Sequence, residues 1–175
     1  MSRQKNGIAL VLPFVAALSV IADRITKHLV RISLSPGQSL DLAPWATPLF
    51  QITYVRNSGA AFGLFPGGST VFMIIAVIVI VALVWYYLHL PDASFPIHLA
   101  LGLQLGGATG NLIDRLRFDG MVIDFVDLNF WPMRRWPVFN VADASIVAGV
   151  VILTALMVWE GWQEGQSSRS VPPVL

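Results

Sequence analysis

Cysteine is absent from the chain, which excludes disulfide bridges, thiolate nucleophiles and sulfur-ligated metals. Charge is scarce: Asp, Glu, Lys and Arg make up 12% of the 175 residues, against about 25% in soluble domains. The formal net charge of +1 gives no electrostatic footing for a nucleic-acid partner. His28, His89 and His98 are scattered without metal-ligand spacing, so no metal site is expected. Neither the Gly-x-Ser-x-Gly elbow of serine hydrolases nor a His-Glu-x-x-His zinc motif occurs, and there are no internal repeats.

Hydrophobic residues, by contrast, reach 55%, with a mean hydropathy of +0.69. The solvent that suits such a composition is a bilayer. Four apolar stretches, at about 7–30, 70–90, 93–115 and 138–160, each approach the roughly 20 residues needed to cross about 30 Å of hydrocarbon. The fold class predicted is therefore a mainly α membrane protein with four transmembrane helices. Four crossings put both termini on one side. The first stretch also has the outline of a cleavable signal peptide, with Arg3 and Lys5 before an apolar core. Asp23, Arg24 and Lys27 then continue in helical register without a small-residue cleavage site, which favours a retained helix.

Two long connections, 31–69 and 116–137, lie on the same side. In the first, Phe50–Arg56 alternates and is rich in β-branched and aromatic residues, as a strand would be, with Ser39–Leu42 as a possible partner. A small β-sheet packed on the membrane surface follows. Residues 1–160 read as one domain and 161–175 as a flexible polar tail. Trp85, Trp131, Trp136, Trp159 and Trp162 fall near the ends of crossings, where indole rings favour the headgroup level. The Lys and Arg count is higher on the loop side, which by the positive-inside tendency would place the termini outside.

Against this apolar background a few polar groups stand out. Asp23 and Lys27, four apart, share a helix face and can pair. The run Gly106-Gly-Ala-Thr-Gly-Asn-Leu-Ile-Asp-Arg115 offers small residues for close helix packing first, and Asn111, Asp114 and Arg115 last. Asn57-Ser-Gly-Ala-Ala-Phe62 reads either as a glycine-assisted turn or as a loop whose Asn57 amide meets an extended peptide backbone. Asp124 and Asp143 lie among apolar neighbours beside membrane segments, where ionised carboxylates are costly. Held close together in a dry site, two carboxylates share a proton and supply both an acid and a base. The plain alternative pairs each with an arginine, with Arg56, Arg115 and Arg117 available. Asn140 precedes Asp143 by one turn and can orient it; Asp127 is expected to support the local fold, as a cap or as the partner of an arginine.

Taken together, Asp23-Arg-Ile-Thr-Lys27, Asn57-Ser-Gly-Ala-Ala-Phe62, Gly106 to Arg115, Gly120-Met-Val-Ile-Asp-Phe125 and Phe139-Asn-Val-Ala-Asp143 resemble the lipoprotein signal peptidase (signal peptidase II) family over nearly the whole chain. The resemblance implies an aspartic endopeptidase of the bacterial inner membrane, with both termini cytoplasmic and the active site towards the periplasmic face, against the charge count. The connections 31–69 and 116–137 would then be extracytoplasmic. Its substrates would be diacylglyceryl-modified prolipoproteins, cut just before the lipidated cysteine by dyad-activated water. Membrane lipid would be a partner, globomycin an inhibitor, the working form a monomer, and no cofactor would be needed. By position, Asp124 and Asp143 match the catalytic pair. Asn57, Gly59, Asn111, Arg115 and Asn140 match substrate- or dyad-positioning residues, and Asp23 and Lys27 match a supporting polar pair. Two readings from other classes are a small proton-conducting transporter using Asp23, Asp143 and Arg115, and a non-catalytic assembly factor using the glycine faces.

Overall fold

A computed structural model describes residues 10–59, 67–89 and 94–169. Four helices carry the fold: α1 (Val11–Ser33), α2 (Ser69–Leu88), α3 (Phe95–Arg117) and α4 (Val141–Arg169). Between α1 and α2 lie β1 (Ser39–Leu40) and β2 (Phe50–Asn57); between α3 and α4 lie β3 (Val122–Leu128) and a 3-10 turn at Met133–Arg135. The strands form one antiparallel sheet in the order β1-β2-β3.

The four-residue spacing of polar groups on α1 is answered by an apolar stripe on its other side. Phe14, Leu18, Ile21, Ile25, Leu29 and Ile32 all face outward, while Asp23 and Lys27 are fully buried. In water the reverse arrangement would be favoured, because burying a charge costs more than exposing a leucine. On α2 the chain is apolar all round and no residue is buried. α4 likewise exposes Val147, Val150, Val151 and Met157. By length and apolarity α2 and the Val141–Gln163 part of α4 are long enough to cross a membrane. Helices α1 and α3 have 23 residues each, about 34 Å at 1.5 Å per residue, but dilute their hydropathy with inward-facing polar groups.

The bundle is assembled around α3, which packs against α1, α2 and α4. Close approach is possible because α3 presents Gly102 and Gly106 to α1 and Gly107 to α4. A Cβ at Gly106 would stand 2.7 Å from the Ala16 carbonyl oxygen and 2.6 Å from Ser19 Cβ. The small-residue spacing is thus helix packing, as in membrane bundles generally. At the end of α1 the sheet closes over the bundle. Val30, Tyr54, Ile123 and Phe125 form its apolar seat, with Leu34 and Phe118 packed against them.

Two features depart from the sequence reading. Strand β3 falls in a segment read only as a connection; its pairing with β2, Val55 opposite Asp124 and Asn57 opposite Val122, is a long-range contact that no local pattern announces. Helix α4 runs to Arg169, well into the stretch read as a loose tail. Glu160, Gln163, Glu164 and Gln166 are good helix formers, and the next proline is Pro172. Residues 1–9 and 170–175, including Arg3 and Lys5, lie outside the described part of the chain.

Gly106→Val is expected to lower the thermal unfolding midpoint in detergent sharply, since overpacking of this kind costs about 1–3 kcal/mol or more. Gly161→Ala, where nothing lies within 4 Å of the added methyl, should leave the midpoint unchanged or slightly raised. Equal effects of the two would contradict this packing.

Candidate active site

The start of α4 is where the two carboxylates are joined. Asn140 precedes the helix and Asp143 sits in its first turn. The Asn140 side-chain oxygen accepts the Asp143 backbone N–H at 2.8 Å, and Asp143 Oδ2 accepts the Asn140 backbone N–H at 3.3 Å. This reciprocal pair is a capping box, and it satisfies helix N–H groups that have no partner within the helix. The amide nitrogen of Asn140 then reaches to β3, donating to Asp124 Oδ1 at 2.6 Å and to the Ile123 carbonyl at 3.3 Å. One fully buried asparagine therefore touches both aspartates.

Each carboxylate has a further amide donor. Asn57 at the end of β2 donates to Asp124 Oδ2 at 3.0 Å. Its own side-chain oxygen accepts the Gly59 N–H at 2.9 Å, a local turn that fixes the asparagine's orientation. Ser69 Oγ, at the start of α2, donates to the Ser58 carbonyl at 3.0 Å and holds the same loop. Asn111 on α3 donates to Asp143 Oδ1 at 2.7 Å. Ala60 to Phe62 of the sequence motif lie outside the described residues.

Arg115 does not pair with either aspartate: among the described residues neither Asp124 nor Asp143 forms an ion pair within 4 Å. Its guanidinium donates to the Gly59 carbonyl at 3.3 Å and to the Asn111 carbonyl at 3.5 Å, and lies 5.6 Å from the Phe72 ring centre. Arg115 Nε is buried and has no protein partner among the described residues. The alternative in which each aspartate is neutralised by an arginine is thereby set aside.

Asp124 lies in the sheet, above the helices. Burial, and secondly the negative charge of Asp143, push its pKa up to about 6; hydrogen bonds from Asn57 and Asn140 and the charge of Lys27 oppose the rise. At mildly acidic pH this carboxyl carries a proton. Both aspartates line one cavity of about 690 Å³, polar at Asn57, Asn111 and Arg115 and apolar at Phe72, Phe139 and Val147.

Beneath this site lies a buried charge cluster that the sequence showed only in part. Lys27 Nζ is 2.9 Å from Asp23 Oδ2 and 2.8 Å from Asp114 Oδ2, all with fully buried side chains. Arg24 pairs with Asp114 as well. Asp114 Oδ2 also accepts the Ile123 N–H at 3.1 Å, and Asp23 Oδ1 accepts the Ala142 N–H at 3.1 Å. Arg24 and Asp114 were not among the site residues read from the sequence. Arg24 beside Asp23 and Asp114 beside Arg115 were the available signals, but only the fold brings the two pairs together. Asp127 supports the local fold in another way than as a cap or an arginine partner among the described residues: it accepts from Gln51 Nε2 at 2.9 Å and Thr53 Oγ1 at 2.7 Å across the strand pair.

A helix bundle with an apolar outer surface under a small sheet, with a polar chamber between them, is the frame shared with bacterial membrane enzymes. Two structures of such enzymes, solved by the in meso method, share it. The one at 2.3 Å resolution is 31% identical with a TM-score of 0.74, over 97% of this chain and 94% of its own. The one at 1.9 Å is 34% identical with a TM-score of 0.70, over 86% and 92%. Which enzyme family is decided by sequence. The family model described as Signal peptidase (SPase) II matches residues 15–159. The lipoprotein signal peptidase of Moorella thermoacetica is 43% identical over 89% of this chain and 99% of its own length. That of Syntrophomonas wolfei is 45% identical over 86% and 95%. The chain belongs to the signal peptidase II family and is a protease.

Asn140→Ala would leave Asp124 Oδ1 and the Asp143 N–H without their partner. Unmade buried hydrogen bonds cost about 1–3 kcal/mol each. A lower unfolding midpoint is expected together with a fall in kcat of about a hundredfold, since misplacing a reacting group by an ångström has that effect. Wild-type kcat in a folded Asn140→Ala protein would contradict the bridging role.

Proposed function

We propose that this protein removes the signal peptide from diacylglyceryl-modified prolipoproteins, with Asp124 and Asp143 as the catalytic dyad. The observation that carries this reading is Asn140, whose side-chain amide donates to Asp124 and caps the Asp143 backbone N–H while its own backbone N–H donates to the Asp143 carboxylate. Both aspartates line one cavity, and among the described residues neither is ion-paired. The relatives, lipoprotein signal peptidases, supply the substrate class; the chemistry follows from the site.

Two carboxylates lining one cavity and joined through Asn140 do not readily ionise together, so the dyad holds one proton, and its pKa values belong to the pair. In the scheme proposed, Asp124, held at about 6 by burial, carries the proton and Asp143 is the base. Asp143 takes a proton from water, and the resulting hydroxide adds to the scissile carbonyl carbon. Asp124 donates its proton to the oxyanion that forms. When the C–N bond breaks, the proton held at Asp143 passes to the departing amine and one hydroxyl of the diol returns its proton to Asp124. The products are a carboxyl terminus on the signal peptide and a free amine on the lipidated cysteine. Arg115 Nε, buried and without a partner among the described residues, is a ready donor to a substrate carbonyl. Asn57 and Gly59 edge the same opening.

In this reading all four helices cross the membrane. Outward apolar stripes on α1 and exposed apolar residues on α2 and α4 meet lipid, and the α3 core stays inside. The sheet then rests on the periplasmic surface of the inner membrane, with both termini cytoplasmic, residues 1–160 forming the membrane domain, and the enzyme working as a monomer. The apolar wall of the cavity accommodates the signal helix while the acyl chains remain in the bilayer. Globomycin is expected to compete for the cavity.

Asp124→Asn and Asp143→Asn should each abolish cleavage of a diacylated precursor in a gel-shift assay while the protein stays folded. Because Asp124 must be protonated, kcat/KM of the wild type should decline as pH rises through about 6. Turnover in either variant, or equal cleavage of a precursor lacking the diacylglyceryl group, would contradict the proposal.

A further inference from the structure

We propose that Lys27 is a positioning residue for hydrolysis: through the side-chain amide of Asn111 it fixes how Asp143 is held. The inference rests on the dyad reading above and adds to it a fully buried residue that does not line the cavity.

An ammonium group has three donors and no acceptor. Lys27 Nζ faces three oxygens: Asp23 Oδ2 at 2.9 Å, Asp114 Oδ2 at 2.8 Å and Asn111 Oδ1 at 3.1 Å. The last contact decides the orientation of Asn111. With its oxygen on Lys27, the amide must turn its NH₂ to Asp143 Oδ1, where it donates at 2.7 Å. Rotating the amide by half a turn would set NH₂ against the ammonium and carbonyl oxygen against the carboxylate. Both contacts would be repulsive, one of them against a fully buried ammonium. The ammonium is the strongest of the restraints on that rotation, acting with Asp143 and with Asn140 Nδ2 at 3.2 Å.

Lys27 sits in a balanced setting. On α1 are Asp23 and Arg24, and on α3 are Asp114 and Arg115; Asp143 faces them from α4 and Asp124 from β3. Asp23 and Asp114 offset Arg24 and Lys27, so the cluster has no formal net charge. Lys27 still acts on the dyad directly, because its charge opposes the upward displacement at Asp124. Loss of that charge should favour protonated carboxyls and move the activity profile to higher pH.

The test compares Lys27→Met and the charge-balanced double variant Lys27→Met/Asp23→Asn with wild type, as folded protein purified by size exclusion. An asparagine at position 23 retains an oxygen for the Ala142 N–H. For both variants kcat should fall about tenfold or more, with KM for the diacylated precursor within about twofold of wild type. The decline of kcat/KM with pH should move upward by about one unit. Asp124→Asn and Asp143→Asn are measured alongside. Turnover in those two would remove the dyad reading itself. If they are inactive but the Lys27 variants keep the wild-type pH profile, or lose activity only in proportion to their folded fraction, the positioning role is refuted. Failure of both Lys27 variants to yield any folded fraction would likewise refute it, and would make Lys27 a folding requirement instead.

Discussion

Two carboxylates cannot share one secluded cavity unless their oxygens find donors, and here the decisive donors are amides rather than guanidinium groups. Asn140, Asn57 and Asn111 hold Asp124 and Asp143 by neutral hydrogen bonds. A neutral donor orients a carboxylate without quenching it, whereas a guanidinium partner would fix it as an anion. Asn140 does this from the cap of α4, so the same few atoms start a helix and join the two aspartates. Local helix chemistry, rather than a flexible loop, sets the geometry of the pair.

That geometry is held from below by an inside-out bundle. Asp23, Lys27 and Asp114 are fully buried, while Phe14, Leu18, Ile21 and Ile25 face outward. The arrangement is stable only where the surroundings are less polar than the interior, as in a membrane. Its consequence reaches the site through backbone contacts. Asp114 holds the Ile123 N–H, next to Asp124, and Asp23 holds the Ala142 N–H, next to Asp143. Charges that look expensive thus serve as fixed points for the strand and the helix that carry the dyad.

The sequence made the helices and the aspartates legible for plain reasons. Apolar runs of crossing length mark helices, and a carboxylate among them is conspicuous. The Asp23–Lys27 pairing and the glycine faces followed from helical spacing, and both are present. What stayed hidden depends on tertiary contact. Val122–Leu128 becomes a strand because Asn57 and Val55 lie alongside; alone it is an apolar run with two aspartates. Arg24 and Asp114 are 90 positions apart, and nothing in either neighbourhood foretells their meeting. The end of α4 was misplaced for another reason: polar residues mark the edge of a membrane segment but not the end of a helix.

The central claim is that the dyad holds one proton, at Asp124, in the resting protein. Infrared spectroscopy of the solubilised enzyme, following the carbonyl stretch of protonated carboxyl groups through a pH titration, measures this directly. The expected result is a band that titrates near pH 6 and is missing from Asp124→Asn. A titration in which both aspartates ionise independently in the ordinary carboxylate range would contradict it.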